Sequence, residues 1–388
     1  MMISVDNLYW VLYNNLLKPL ELDCWYYYPW GTKHNLSRKE YQPYYRKQHA
    51  NHVLFHFDQE PLWENNLGRL YEIEQPLSWS TKVVRVLANS EHSDHKRILL
   101  KQRQMLDWYF FYHGFAALDW YRDARYIQYD HDIQHTFLSL NHIINAKRSY
   151  RLDMTSRLLE KNIIQKGLVS LHTSADKILQ EIQDPHTLLQ SESINRIQKY
   201  LCSRQDLPWK VDKIIIDGNL SARFGNQEYA LWQSCFLHVV NETVFFEPKL
   251  HLTEKVFQPI VAKRPFVLNA AAGNLAYLRS YGFQTFGQWI DESYDTIQNP
   301  DLRLEAVAEQ IDKISNLSAD QLRELQQDMR SVLDHNKQHF FTDFRDMIVD
   351  ELVDNFETCF KLWNNGRVDG RQIPFVIDTI KVKQILNQ

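Results

Sequence analysis

Short apolar runs rich in β-branched and aromatic residues recur along the chain, with amphipathic segments between them. Such runs are typical of strands buried in a sheet that helices cover on both faces. In the first third of the chain they are HVLFHF (52–57), VVRVLANS (83–90), LDWYFFY (106–112) and RYIQYD (125–130). This alternation predicts an α/β fold with a mostly parallel sheet.

The alternation starts again after residue 134. A strand-like run, FLSLN (137–141), is followed by a helix-like segment over 148–164 and then by GLVSLH (167–172). Residues 174–210 and 301–365 have helical patterns. The later strand-like runs are KIIID (213–217), FLHVVNE (236–242), PFVLNA (265–270) and FQTFG (283–287). We therefore predict two Rossmann-like domains facing a cleft, at 1–134 and 135–340, and a C-terminal helical segment, 341–388, that crosses back.

Length, charge and cysteine usage limit the class of protein. A chain of 388 residues with 44% hydrophobic residues is long enough for two domains with cores of their own. The formal charge of -4 argues against polyanion binding by net charge, although the stretch 82–103 is locally basic. The cysteines are widely spaced, and the N-terminus lacks the apolar run of a signal peptide or membrane span. We expect a cytoplasmic protein with reduced thiols and no membrane span.

The segment HLTEKVF (251–257) is the sharpest candidate for a ligand site. The Thr253 hydroxyl can cap a helix, which places Glu254 and Lys255 in its first turn. A lysine is disfavoured beside unpaired N–H groups at a helix N-terminus, and a bound anion would explain its presence. The alternative is an ordinary capped helix with an exposed charge pair.

A longer segment around this motif resembles a known enzyme family. The segment FLHVVNETVFFEPKLHLTEKVFQPIVAKRPFVLNAAAGNLAYL (236–278) is similar to the donor-binding region of the α1,3-fucosyltransferases. The resemblance implies the GT-B architecture, a nucleotide-sugar co-substrate such as GDP-fucose, and chemistry without a bound metal or other cofactor. The run GFQTFGQWIDESYD and the pairing of DQEP with TEK are also similar to uncharacterised phage-type sugar transferases. For a viral protein, the compartment would be the host cytoplasm.

The resemblance assigns roles within the motif. It implies that Lys255, in the same T-E-K motif as Thr253, contacts the donor diphosphate and that Glu254 contacts the ribose. It also implies that Asn241 and Glu242 line the sugar pocket. The family has Glu before Asn at this point, and the reversed order here leaves the donor sugar open.

Two arginines follow the strand-like run FLSLN. In the family, a strand that ends in Ser-Asn is followed by an arginine that grips the diphosphate, and Arg148 or Arg151 could fill this role. A guanidinium suits the task because it is always charged and can bond two phosphate oxygens at once. The alternative is an ordinary cationic helix surface.

Carboxylates follow the strand-like run HVLFHF, in FHFDQEPLW (55–63). An inverting glycosyl transfer needs a carboxylate that takes the proton of the acceptor hydroxyl. Glu60 is the predicted base, because the Glu-Pro turn resembles a Glu-Ser-Pro turn of the fucosyltransferases, and Asp58 is the substitute. The alternative is that both carboxylates cap a loop.

For other polar and aromatic residues, the sequence leaves more than one interpretation open. The loop NSEHSDH (89–95) could line an acceptor site or be a plain polar loop, and the aromatic residues within 108–121 could face a sugar or belong to the core. Asp130 and Asp132 have the D-x-D spacing that holds a divalent ion in other transferases. Such short matches are common by chance, and we predict no metal site.

These observations together predict a glycosyltransferase. It would move a sugar, fucose or another, from a nucleotide-diphosphate donor to a hydroxyl group of a glycan or other acceptor, with inversion and without a metal. A nucleic-acid-associated binding protein that uses the basic stretch 82–103 is the alternative from another class. A sugar transferase that modifies DNA, and a GT-B scaffold without activity, also stay open.

Overall fold

The computed structural model describes residues 4–17, 23–27, 52–57, 59–63, 84–127, 131–211, 226–365 and 378–387. The chain divides into two compact units. The first comprises Met1–Trp120, Asp217–Ala222 and Arg345–Gln388, and the second comprises Tyr121–Ile216 and Arg223–Phe344. The domain boundaries drawn from the sequence pattern stay a prediction.

The described elements alternate as an α/β chain should. The strands are β1 Asp23–Tyr27, β2 His52–Phe57, β3 Val84–Ala88, β4 Met105–Asp107, β5 His135–Ser139, β6 Leu168–Val169, β7 Cys235–Asn241 and β8 Phe266–Asn269. The helices are α1 Val5–Leu12, α2 Asp94–Arg103, α3 Tyr112–Trp120, α4 Tyr150–Glu160, α5 Ala175–Gln183, α6 Ser191–Tyr200, α7 Asn226–Gln233, α8 Phe257–Ala262, α9 Asn274–Ser280, α10 Pro300–Ser315, α11 Ala319–Asp328, α12 Arg330–Phe341, α13 Asp343–Asn365 and α14 Thr379–Leu386. A π-helical turn, Tyr13–Leu17, follows α1. The 3₁₀ turns are Arg122–Tyr126, Ala146–Arg148, Ile164–Lys166, Glu254–Val256 and Glu292–Thr296.

The sheet of the first unit has the strand order β1-β2-β3-β4, and all neighbouring strands are parallel. The predicted strands at 52–57 and 83–90 are confirmed. The run predicted as a strand at 106–112 is in the sheet only as far as Asp107. Beyond it, Trp108 is fully buried and its indole N–H donates to the carbonyl of Leu352 at 3.0 Å. Trp108 and its buried neighbour Tyr109 are therefore core residues.

The sheet of the second unit has the order β6-β5-β7-β8 and is also parallel throughout. From β5 the chain adds β6 on one side, and it then returns to add β7 and β8 on the other. The direction of strand addition thus reverses between β5 and β7. In open parallel sheets such a switch point leaves a crevice at the carboxyl ends of the strands, where ligands bind.

Two strand predictions in this unit are wrong. The described part of 125–130, residues 125–127, contains the end of the 3₁₀ turn Arg122–Tyr126 and the residue after it, and Arg125 is exposed. The run 283–287 is irregular, because side chains satisfy its backbone groups: Asn336 bonds both the N–H and the carbonyl of Gln284. The predicted strand at 167–172 is reduced to the two residues of β6.

The remaining predictions concern the helical segments, one further strand and membrane spans. Helices occupy most of 174–210 and 301–365, as the patterns predict. The predicted strand at 213–217 lies outside the described residues. Among the residues that the structure describes, no helix is long and apolar enough to span a membrane. The fold is therefore a mixed α/β fold with two parallel sheets.

Candidate functional site

Polar side chains meet at the carboxyl edge of the second sheet. Ser139 ends β5, Asn241 ends β7 and Asn269 ends β8, and all three are buried. The Asn241 amide donates to Ser139 Oγ at 3.0 Å and to Asn141 Oδ1 at 3.1 Å, and it accepts a bond from the Asn269 amide at 2.8 Å. A buried and mutually bonded network of this kind fixes the geometry of the strand ends. Asn241, predicted to line a sugar pocket, is at its centre.

Arg151 connects this edge to the loop that follows β5. Its guanidinium donates to the backbone carbonyls of Asn241 at 2.8 Å, Glu242 at 3.2 Å and Ile143 at 2.9 Å. The residue is 4% exposed. Because its N–H groups bond backbone carbonyls of both segments, Arg151 holds the loop that follows β5 against the end of β7. Of the two predicted arginines, Arg148 is the better placed to reach a ligand, since it is half-buried at the end of the turn Ala146–Arg148.

The Glu242 carboxylate joins two segments at the end of β7. It is fully buried and accepts bonds from the Thr253 N–H at 3.0 Å, the Thr253 hydroxyl at 2.6 Å and the Thr243 N–H at 3.2 Å. Its backbone carbonyl accepts a bond from the Tyr150 hydroxyl at 2.5 Å. The carboxylate predicted to face a sugar is thus directed at the turn that carries Lys255.

The Lys255 ammonium lies among hydroxyl groups and one carboxylate. It donates to Thr253 Oγ1 at 2.8 Å and to Thr243 Oγ1 at 3.4 Å, and it forms an ion pair with Glu254 at 3.4 Å. Its side chain is 35% exposed. The charge is therefore oriented by its neighbours and still reaches solvent.

The predicted cap by Thr253 is wrong. Its side chain makes no capping bond, and the segment begins as the 3₁₀ turn Glu254–Val256 before α8. The hydroxyl instead donates to the buried Glu242 carboxylate, because a hydrogen bond to a charged acceptor is stronger than one between neutral groups. The predicted apolar face of the segment is confirmed, since Val256, Phe257, Ile260 and Val261 are all buried.

A cavity of about 40 Å³ borders this arrangement. Its lining includes Asn241, Lys255 and Gln258, together with Leu138 and Leu140 from the β5 side. Lys255 and Asn241 therefore face the same space beside the switch point, and a ligand there would meet both a positive charge and an apolar surface. A few placed polar groups beside apolar side chains are also found in small-molecule sites.

Tyr150 is a buried aromatic residue at the same edge. Burial raises the pKa of its hydroxyl, and the guanidinium groups of Arg151 and Arg148 oppose this shift without reversing it. The hydroxyl therefore stays protonated and acts as a hydrogen-bond donor.

In the first unit, the loops that follow β2 and β3 are bonded to each other. The Asn89 amide donates to the Glu60 carbonyl at 3.0 Å, and the Leu62 N–H donates to the Glu91 carboxylate at 2.7 Å. Glu60 itself is half-buried, whereas Asp58 lies outside the described residues. Glu91 is fully buried and also accepts a bond from Ser93, so it holds the loop together and does not line an open acceptor site.

The basic stretch 82–103 is only partly exposed as a charged surface. Lys96 is 2% exposed, pairs with Asp107 at 2.8 Å and donates to the Asn89 carbonyl at 2.9 Å. Arg97 pairs with Asp94 at 3.0 Å. Two of the cations that make the stretch look basic in the sequence are thus matched by carboxylates within the fold.

The structure describes only one of the two aspartates with D-x-D spacing. Asp132 is exposed, and Asp130 lies outside the described residues. Within the described ranges, no group of three or more His, Cys, Asp or Glu side chains is placed to hold a metal ion.

The sequence reasoning missed the structural roles of Arg151, Glu242 and Glu91, although it had singled out Arg151, Glu242 and the loop that contains Glu91. No local signal distinguishes a buried clamp from a ligand contact, because each of the three has a partner outside its local segment: Leu62 for Glu91, Thr253 for Glu242 and Asn241 for Arg151. Comparison with known protein families, with curated proteins and with solved structures finds no match.

Proposed function

We propose that the protein is a glycosyltransferase of the GT-B type, with two Rossmann-like domains facing a cleft. It would transfer a sugar from a nucleotide-diphosphate donor to an acceptor hydroxyl. The observation that carries the proposal is the placement of Lys255, whose ammonium is oriented by Thr253 and Thr243 and faces a cavity at the switch point of the second sheet.

In the proposed reaction, Lys255 and Arg148 neutralise the pyrophosphate of the donor, and Glu254 accepts bonds from the ribose hydroxyls. The acceptor oxygen attacks the anomeric carbon from the face opposite the pyrophosphate, and the bond from that carbon to the phosphate oxygen breaks. Glu60 takes the proton of the acceptor hydroxyl, and the nucleoside diphosphate leaves. Fixed cations that stabilise the charge developing on a leaving group are an efficient source of catalysis.

The Lys255→Ala variant tests the donor site. Loss of a charged hydrogen bond to phosphate removes about 1.5–3 kcal/mol, so we expect the affinity for GDP and UDP to fall roughly 10- to 150-fold. Isothermal titration calorimetry measures this, and Lys177→Ala, which removes an exposed lysine of α5, is the matched control. Equal affinities in Lys255→Ala and the wild type would refute the proposal.

The Glu60→Gln variant tests the proposed base. Removal of a general base typically costs about 10²- to 10⁴-fold in rate, so we expect transfer to collapse while donor binding is retained. Asp58→Asn is measured beside it. If Asp58→Asn is the inactive variant and Glu60→Gln is active, the base is Asp58.

The nucleic-acid alternative stays a prediction of the sequence. The pairing of Lys96 with Asp107 and of Arg97 with Asp94 leaves less positive charge for phosphates than the sequence suggests. Salt-dependent binding of DNA or RNA, without binding of any nucleotide sugar, would favour this alternative over the transferase.

A further inference from the structure

Two side chains from other elements bond the backbone on either side of Glu60 in the first unit. His113, in the first turn of α3, donates from Nε2–H to the Gln59 carbonyl at 3.1 Å. The Asn89 amide, from the loop that follows β3, donates to the Glu60 carbonyl at 3.0 Å. The proposed reaction gives neither His113 nor Asn89 a role.

These two bonds hold both peptide groups that meet at the Cα of Glu60. The Gln59 carbonyl belongs to the peptide group before this Cα, and the Glu60 carbonyl belongs to the peptide group after it. Each peptide group is a rigid plane, so the backbone at Glu60 can change only by rotation of φ and ψ. Because both planes are bonded from outside the loop, His113 and Asn89 set the direction of the Cα–Cβ bond of Glu60.

The residues that follow Glu60 are held as well. Pro61 disfavours helical backbone at Glu60 and restricts it to extended conformations. Leu62 is fully buried against apolar residues of β3, α2 and β4, and its N–H donates to the Glu91 carboxylate at 2.7 Å. The half-buried Glu60 side chain thus extends from a backbone that is fixed on both sides.

The two anchoring side chains are themselves held in place. Asn89 is fully buried, its Oδ1 accepts a bond from the Glu91 N–H at 2.8 Å, and its carbonyl accepts one from the Lys96 ammonium at 2.9 Å. His113 is half-buried, and its ring meets the Tyr112 ring edge-on at 5.4 Å. A reacting group is placed accurately only when the residues that support it are fixed by packing and hydrogen bonds of their own.

We propose that His113 and Asn89 are positioning residues that aim the Glu60 carboxylate at the acceptor oxygen. This inference rests on the proposed function, in which Glu60 is the base. A base must lie within hydrogen-bond reach of the proton that it takes. A misplacement of about 1 Å can cost about 10²-fold in rate, so the two residues affect turnover without touching the substrate.

Hydrolysis of GDP-fucose and of UDP-glucose tests the proposal, with water in place of the acceptor. The water oxygen bonds the anomeric carbon, the bond from that carbon to the phosphate oxygen breaks, and Glu60 takes the proton of the water. His113→Phe keeps a ring and removes the N–H donor. We expect kcat to fall about 10- to 100-fold and KM for the nucleotide sugar to stay unchanged. His113→Gln, whose amide can donate in place of Nε2–H, should keep most of the wild-type kcat.

A double variant separates positioning from a general loss of structure. Because His113 acts through the Glu60 carboxylate, His113→Phe should not lower kcat further in the Glu60→Gln background. The same loss in both backgrounds would show a purely structural role and overturn the inference. Asn89→Asp keeps the oxygen that accepts the Glu91 N–H but loses the N–H given to Glu60, and it should show the same pattern in the two backgrounds.

His335→Phe is the matched control, since His335 is also half-buried and its Nε2–H donates to the Gly282 carbonyl at 3.1 Å in the second unit. It should leave kcat nearly unchanged. Circular dichroism checks that each variant is folded.

The outcomes separate this inference from the proposed function. If His113→Phe and Asn89→Asp keep the wild-type kcat while Glu60→Gln loses it, the positioning roles are wrong and the proposed function stands. A wild-type kcat in Glu60→Gln overturns the assignment of the base together with this inference. Failure of the wild type to hydrolyse either nucleotide sugar overturns both proposals.

Discussion

At the residue scale, the turn that carries Lys255 is organised by one buried carboxylate. Glu242 accepts three hydrogen bonds from Thr253 and Thr243, and both threonine hydroxyls lie within reach of the Lys255 ammonium. A fully buried carboxylate is stable only when hydrogen bonds and positive charge compensate for its lost hydration. The residues that orient the lysine and those that stabilise Glu242 are therefore the same.

The first prediction concerns Thr253. Thr253→Val removes the hydroxyl that donates to Glu242 and accepts from Lys255 but keeps the shape of the side chain. We expect the free energy of unfolding to fall by about 1–3 kcal/mol, because a buried charged acceptor loses a donor. Urea denaturation measures this loss. Thr253→Ser, which retains the hydroxyl, should stay close to the wild type, and an equal loss in both variants would contradict the assigned role.

At the scale of single elements, α9 depends on a carboxylate from another segment. Asp295, in the turn Glu292–Thr296, accepts bonds from the N–H groups of Leu275 at 3.0 Å and Ala276 at 3.1 Å. These are among the first N–H groups of the helix, which have no partner within it. The negative charge also lies at the positive end of the helix dipole. A short helix is thus stabilised by a residue some twenty positions away.

Asp295→Ala should therefore destabilise the second unit. We expect the loss of this cap to cost about 1–2 kcal/mol, which differential scanning calorimetry would detect as a lower melting temperature. Glu324→Ala, at an exposed position of α11, is the control and should leave the melting temperature nearly unchanged. A melting temperature of Asp295→Ala equal to that of the control would exclude the capping role.

At the scale of the whole molecule, stability should depend on the charge state of one buried histidine. His238 lies in β7, one of the two central strands of its sheet, and is 3% exposed, and its Nε2–H donates to the Trp232 carbonyl at 2.9 Å. Burial lowers the pKa of this imidazole to about 4. In the unfolded chain the pKa is near its ordinary value of about 6.5. The unfolded state therefore binds a proton between pH 6.5 and 4 that the native state does not bind.

Stability should accordingly fall as the pH is lowered through this window. The contribution of His238 between pH 7 and pH 5 is about 2 kcal/mol, with the native state less stable at pH 5. Urea denaturation at the two pH values measures the total change. His238→Gln cannot titrate, so its stability should fall less between pH 7 and pH 5 than that of the wild type. The same fall in both proteins would show that His238 is not responsible.

The sequence by itself determined the α/β fold class, the main strands and the edge of the sheet at which polar residues gather. Periodicity and β-branched composition are local properties, and they predicted β2, β3, β5, β7 and β8 close to their observed positions. Parallel strands place their carboxyl ends at one edge of a sheet, and Ser139 and Asn241, which end β5 and β7, share a hydrogen bond there.

Only the tertiary structure decided which of these residues serve as clamps and which face a cavity. Arg148 and Arg151 look equivalent in the sequence, yet Arg151 bonds backbone carbonyls about ninety residues away. Thr253 resembles a helix cap, and it donates to Glu242 because folding brings a buried charge beside it. The run 283–287 has the composition of a strand. The side chain of Asn336, and not a neighbouring strand, bonds the backbone N–H and carbonyl of Gln284 in this run. In each case the partner is at least 11 residues away along the chain, and local sequence patterns carry no information about such partners.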